Sequence, residues 1–358
     1  MQSYLTKFIG KSGQTGLAAV DQSILGQAPR IRFPNSVGLY LRFLRKKVTQ
    51  VVNFIVNTMF KCTALLILMS RFALAVDSTQ IAIFYPEANE PYHSIYQEII
   101  AGSRSTNQLG LKEFLLQPDF DAQQIIEQLD SNNISQIIVL GRLGLDLAKS
   151  LPKRFNVVSG ALPISPDGVS GISLISSPTH LFDYLKLVAP SIRKIHVAYS
   201  EESQWLIDLA IKAAQHKGFI LDLKKVNNTK EALAFYQQLF NSPLTKEDSL
   251  WLPTDTISSN DRITLPLVLK EAWAREIVVF SSKPSHAKRG VLFSTYPDNF
   301  MLGKHLYSMI QELAQSPNQT KFSALDSLQL AVNLRTAAHL GISYSTEEKQ
   351  NFKLIFPM

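Results

Sequence analysis

Residues 194–226 read KIHVAYSEESQWLIDLAIKAAQHKGFILDLKKV, and their pattern sets the fold class. Lys194 to Tyr199 is a short apolar run of strand length. Ser203 to His216 is a longer amphipathic segment of helix length, and Phe219 to Val226 is a second strand-like run. Gly218 stands between that helix and strand, the usual place for a left-handed residue that ends a helix. Short apolar strands alternating with longer amphipathic helices argue for a parallel sheet covered on both faces.

The same alternation extends both ways from this stretch. Towards the N-terminus, the pattern predicts strands at Gln80–Tyr85, Leu111–Leu116, Gln136–Leu140 and Phe155–Ser159. They are separated by helices at Tyr92–Gln108, Asp121–Asp130 and Gly144–Ser150, and Gly110 repeats the role of Gly218. A Pro/Ser/Gly-rich passage, Ala161 to Pro178, and a helix at Thr179–Val188 precede residue 194. Beyond residue 226 come helix Thr229–Phe240, strand Ser249–Leu252, helix Asn260–Trp273 and strand Ile277–Phe280. Asp121 and Thr229 sit where helix N-caps belong. The two halves look like repeats of one α/β design: two doubly wound, Rossmann-like lobes with a ligand cleft between them. Ligands of such sheets bind outside the C-terminal ends of the strands.

Upstream of residue 80 the sequence changes character. From Met59 it reads MFKCTALLILMSRFALA and then VDS, with Lys61, an apolar run Ala64–Met69 and an Ala73-Leu74-Ala75 exit. A basic start, a short apolar core and an A-x-A exit are the parts of a secretory signal peptide. Residues 1–75 are therefore expected to be a leader, with Met59 as an alternative start, and the working protein to be periplasmic. The competing reading is an uncleaved anchor over Val51–Met69. Lys61 interrupts it, and the uncharged run falls short of the roughly 20 residues a span needs. A lipoprotein would need its cysteine after the apolar core, whereas Cys62, the chain's one cysteine, precedes it.

The leader also explains the charge. The whole chain carries a formal +7, but ten of its 36 Lys and Arg and one of its 29 acids precede Val76, leaving 26 basic and 28 acidic residues. The basic excess that would suggest nucleic acid thus sits outside the fold, and nucleic-acid binding is set aside. A cysteine-free remainder suits an oxidising compartment and excludes thiol chemistry.

Candidate binding groups lie in the turns after the predicted strand ends. Gly141-Arg142-Leu143-Gly144 would let backbone N–H groups approach an anion at a helix start, with Arg142 gripping a carboxylate. Ser200-Glu201-Glu202-Ser203 is either a ligand-facing turn or a helix cap with acids at the positive end of the dipole. In Pro253-Thr254-Asp255-Thr256, Asp255 is placed either to pair with a ligand ammonium or to shape the turn. Ser281 and Ser282 precede Lys283-Pro284, read as a crossover. Tyr85, Tyr199 and Tyr296 lie near strand ends and would wall a cleft, with Ser203 and Ser281 adding hydrogen bonds. No G-x-S-x-G elbow, P-loop or helix-opening G-x-G-x-x-G occurs, so no enzyme activity or cofactor is expected. The seven histidines show no H-x-H or H-x-x-x-H spacing, and no metal site is expected.

The ordered segments LVAPSIRKIHVAYSEESQWLIDLAIKAAQHKGF (187–219), LWLPTDT (250–256), VVFSSKPSHAKRGVLFSTYPDNFMLGKHL (278–306) and LAVNLRTAAHLGI (330–342) carry a resemblance. They look like the ABC-transporter substrate-binding protein family that includes tryptophan- and other aromatic amino-acid-binding members. The resemblance implies the periplasmic-binding-protein type I fold, with three crossovers and a C-terminal segment weaving between lobes. The lobes would be 76–178 with 283–317, and 179–282 with 318–358. The family's tyrosine-and-polar turn matches Tyr199–Ser203, its proline–x–aspartate turn Pro253–Asp255, and its phenylalanine–serine crossover Phe280–Ser282. Its strand followed by an aromatic-acidic helix start matches Ser294–Asp298. The chain departs from its relatives at Gly141–Gly144, where they commonly carry a small hydroxyl-bearing turn. It departs again at Ala161–Pro166, where they carry threonine-aspartate-proline. The implied function is reversible capture of a small polar or amino-acid-like solute, with Asp255 on a cationic group and Arg142 on an anionic one. The implied partner is the membrane permease of an ABC transporter. The alternative is the ligand-binding component of a sensory system that signals to a separate membrane kinase or cyclase.

Overall fold

A computed structural model of the chain describes residues 46–48, 50, 53–55, 58–59, 80–106, 110–316 and 319–357. Contacts divide the chain into two units, Met1–Val76 and Asp77–Met358. The described residues of the first are short helical stretches. The expected apolar core of the leader, Ala64–Met69, and its exit at Ala73–Ala75 lie outside the described residues. No described helix is long and apolar enough to cross a membrane.

The second unit holds two sheets. The first comprises β1 (Ile81–Pro86), β2 (Leu111–Leu116), β3 (Gln136–Leu140), β4 (Asn156–Gly160), β5 (Gly171–Ser176) and a late strand, β11 (Phe322–Leu325). They are all parallel, in the spatial order β11-β5-β4-β3-β1-β2. Helices α1 (Tyr92–Thr106), α2 (Ala122–Ser131) and α3 (Gly141–Ser150) connect the first four. The second sheet comprises β6 (Lys194–Tyr199), β7 (Ile220–Lys225), β8 (Asp248–Leu252), β9 (Val278–Ser281), β10 (Phe293–Pro297), β12 (Leu328–Asn333) and β13 (Leu354–Phe356). Its order is β13-β12-β10-β9-β8-β6-β7, parallel except for the β10–β12 pair. Helices α4 (Pro178–Val188), α5 (Gln204–Lys217), α6 (Thr229–Phe240), α7 (Thr264–Arg275), α8 (His286–Arg289), α10 (Leu334–His339) and α11 (Thr346–Lys349) belong with it. Helix α9 (Asn299–Gln315) instead packs on α1 and across β3 and β4.

Strand burial follows from this layering. Every residue of β3 and of β8 is buried, as expected of central parallel strands with helices on both faces. In β1, Ile81, Ile83 and Tyr85 face one core, and Ala82 and Phe84 face the other. The second sheet is centred on aromatic rings: Phe280 stacks on Phe293 (5.2 Å), and Phe182 meets Trp251 edge-on (5.7 Å).

The chain passes between the sheets three times, at residues 176–178, 297–299 and 325–328. The first and third passages are joined by Ser177 N–H donating to the Leu325 carbonyl (2.9 Å). The second and third are joined by Asp298 N–H donating to the Ser327 carbonyl (2.9 Å). The switches expected after residues 282 and 317 fall elsewhere. Strand β10 stays in the second sheet because it pairs with β9 and β12, and β11 joins the first because it pairs with β5. Residues 283–297 therefore lie with the second sheet and 322–325 with the first.

Several element ends also move. Asn228, not Thr229, caps α6, accepting from Glu231 N–H (3.0 Å). Helix α7 begins at Thr264 because the Asn260 side chain accepts from Arg262 and Ile263 N–H and holds a turn there. Gly218 has the left-handed conformation expected of it (φ 73°).

Candidate functional site

The C-terminal ends of the strands bring the predicted residues to two groups of turns, one per sheet. On the first sheet, β3 ends at Leu140 and α3 starts at once. Gly141 has φ 73°, and a Cβ there would come within 2.6 Å of the Tyr96 hydroxyl oxygen, so glycine is required on both counts. The N-cap residue Leu140 makes no side-chain cap to α3, and the first turn carries no acidic residue. Arg142 follows, exposed and without a hydrogen bond or ion pair among the described residues. Tyr85 is the penultimate residue of β1, about nine-tenths buried, with its ring 6.3 Å from that of Tyr96. Burial, and then Tyr92 nearby, push the Tyr96 phenol above its ordinary pKa. Tyr96 was not anticipated from sequence, because it lies inside helix α1 rather than at a strand end.

On the second sheet, Asp255 organises the turns and is 3 % exposed. Its Oδ2 accepts from Ser200 N–H (2.8 Å), the Ser200 hydroxyl (2.7 Å) and the Ser203 hydroxyl (2.7 Å). Its Oδ1 accepts from Ile257 N–H (2.9 Å) and Ser258 N–H (2.8 Å). Burial alone would raise its pKa. The hydrogen bonds from Ser258, Ser200 and Ser203 outweigh burial and hold the carboxyl below the ordinary carboxylate range. A carboxylate offers about four lone pairs, and all are taken by the chain itself. The expectation that Asp255 meets a cationic ligand group is therefore corrected: it staples the β6–α5 turn to the turn after β8. Ser203 spends its hydroxyl proton on the same staple.

Ser281 is likewise internal, at 0 % exposure. Its oxygen lies 3.0 Å from the Leu252 carbonyl, 2.8 Å from His286 Nδ1 and 3.0 Å from the donating Lys283 N–H. The expected role as a ligand contact is replaced by that of a brace. His286 Nε2 stands 3.2 Å from Asp261 Oδ1, which also accepts from Lys283 Nζ (2.9 Å). Burial pulls the His286 pKa down while Asp261 pushes it up, and the net shift is downward. Serine, histidine and aspartate are thus in line, but the serine oxygen is sealed from substrate and already bonded. Among the described residues, no group of three or more His, Cys, Asp or Glu is placed to hold a metal ion.

Tyr199 ends β6 at 8 % exposure, in the core beneath α5. Tyr296 lies in β10 with its hydroxyl buried and without a hydrogen-bond partner. Burial first, then Asp298 and Tyr184, push its pKa up to about 12. A second network that sequence spacing concealed joins three strands: His196 of β6 meets Asp222 of β7 (Nδ1 to Oδ2, 2.6 Å) and Asp248 of β8 (Nε2 to Oδ1, 2.9 Å). These three residues are far apart in sequence and become neighbours only through strand pairing.

Two α/β sheets joined by three adjacent passages, with the candidate turns at strand C-termini, define a two-lobed α/β architecture. The profile described as ABC transporter substrate binding protein matches residues 158–350, or 193 of the 358 residues, and the chain belongs to that family. Among solved structures, it is similar to a substrate-binding protein with adhesive properties from Clostridium difficile in its ligand-free, open form. The two share 18 % identity with a TM-score of 0.53, over 77 % of this chain and 98 % of that one. It is also similar to a Streptococcus pneumonia ABC domain in complex with L-Trp, at 17 % identity and TM-score 0.46, over 78 % and 99 % of the two chains. No curated protein matches the sequence. The Clostridium difficile protein carries the periplasmic-binding-protein type I fold, and that is the fold of this chain.

Proposed function

We propose that the chain is an extracytoplasmic solute-binding protein that captures a small polar or amino-acid-like molecule by lobe closure and presents it to the permease of an ABC transporter. The observation that carries this reading is the set of three passages lying side by side and hydrogen-bonded to one another, a narrow hinge between two independently packed sheets. Family membership supports the small-molecule class of ligand and the permease partner. In this reading Tyr85, Tyr199 and Tyr296, with Gly141, shape the walls. Arg142 and the uncapped start of α3 attract an anionic group. Ser203, Asp255 and Ser281 set the shape of the second wall from within.

The test is native mass spectrometry of the chain isolated from its own compartment, followed by calorimetric titration with amino acids and small carboxylates. A co-purifying solute, or saturable binding of one of these probes, is expected. For a carboxylate probe, Arg142→Gln should weaken binding about tenfold, the scale of one charge-assisted contact, while leaving Tm unchanged. An empty protein that binds none of these probes would turn the reading from nutrient uptake to sensing of another class of molecule.

A further inference from the structure

The loop 161–170, between β4 and β5, is fixed to the first sheet at both ends. Leu174 N–H donates to the Leu162 carbonyl (2.8 Å), Ser159 N–H donates to the Ser170 carbonyl (2.8 Å), and Asp167 pairs with Lys149 of α3 (2.9 Å). Its tip nevertheless touches the second sheet's half. The Ser165 hydroxyl donates to the Glu202 carbonyl (3.0 Å) and accepts from the Trp205 indole N–H (2.9 Å). Trp205, at the start of α5, also meets the ring of Phe322 in β11 edge-on at 5.6 Å. Ser165 and Phe322 move with the first sheet, and Glu202 and Trp205 with the second. None of the four belongs to the three passages.

We propose that Ser165, Trp205 and Phe322 form a latch that holds the lobes together without solute and must release for the cleft to open. The proposal rests on the solute-binding reading for its purpose, but not for its test. Rotating one lobe on the other about the passages separates groups carried by different sheets, so these contacts are lost as a set. An ordinary neutral hydrogen bond shifts such an equilibrium only modestly, so the latch biases closure without locking it.

The test measures lobe separation directly in the full chain, with no solute added. Spin labels are placed at Lys153→Cys and Lys212→Cys, both exposed positions, one in each lobe, with Cys62→Ser to remove the native thiol. Pulsed electron resonance then gives the distance distribution. On this background Ser165→Ala and Trp205→Phe are compared with the parent; the second keeps a ring against Phe322 and loses only the N–H. Trp205→Phe is expected to raise the longer-distance, open fraction roughly fivefold, the shift from losing one ordinary hydrogen bond, and Ser165→Ala, which loses two, by a larger factor. Distance distributions that coincide in all three proteins would overturn the latch. Because no solute enters, failure to find one would leave this result intact.

Discussion

A carboxylate that accepts five hydrogen bonds from its own chain has no capacity left for a ligand, and Asp255 is such a group. Its contribution to stability is therefore large. Asp255→Asn places an amide N–H₂ where donors already converge and removes the charge they stabilise. It should cost about 3 kcal/mol, or roughly 8 °C in Tm for a domain of this size. The pH dependence has a definite sign. The folded pKa lies below the unfolded one, so the stabilisation is complete above the ordinary carboxylate value near 4 and is lost as pH falls through the depressed folded value. The gap in Tm between the parent and Asp255→Asn should narrow below about pH 4; an unchanged gap from pH 7 to pH 3 would show that the charge contributes nothing. The sequence showed that Asp255 stands at a strand end, because P-x-D follows an apolar run. It did not show where the carboxylate points, since Ser200 and Ser203 are more than 50 residues away. The position of Arg142 at a helix start was readable for the opposite reason: the glycines that mark it are local in sequence.

At the scale of elements, local pattern marked most strands and helices up to Phe280, and pairing partners decided what it could not. Strand β5 lies within a passage whose Pro, Ser and Gly content reads as loop, yet its backbone is extended by β11 on one side and β4 on the other. Strand β10 reads as part of a crossover after Lys283-Pro284, and only its pairing with β9 and β12 keeps it in the second sheet. The return of α9 to the first sheet is also fixed by contact rather than by pattern. A Cβ on Gly303 would overlap the Ile99 carbonyl, one on Gly102 would overlap the Phe300 carbonyl, and Ser103 donates to the Gly303 carbonyl (2.9 Å). Helices α1 and α9 therefore touch backbone to backbone. Gly303→Ala would favour the isolated helix by about 1 kcal/mol, but the overlap forces the pair apart at a larger cost. A net loss of about 2 kcal/mol is expected, read as a lower urea midpoint with unchanged slope. A raised midpoint would mean that helix propensity outweighs the contact.

At the scale of the whole molecule, charge and packing divide the chain at almost the same residue. The basic excess ends before Val76, and the contact boundary falls between Val76 and Asp77. Among the described residues, the buried apolar clusters lie between Ile81 and Phe352. The segment before Val76 carries ten basic residues and one acid, so its net charge has the opposite sign to that of the rest. Removing it should leave the two-lobed core intact and reverse the charge of the molecule. The full chain has a sequence isoelectric point of about 9.3. The 26 basic and 28 acidic residues that follow place the processed form on the acidic side of neutrality. Protein recovered from outside the cytoplasm is therefore expected to begin at Val76 by intact mass, to focus below pH 7, and to pass through a cation exchanger at neutral pH. Recovery of a membrane-associated species at the full 40.1 kDa with a basic isoelectric point would instead make residues 1–75 a retained anchor. The solute would then be captured by a tethered protein rather than by one that diffuses to its permease.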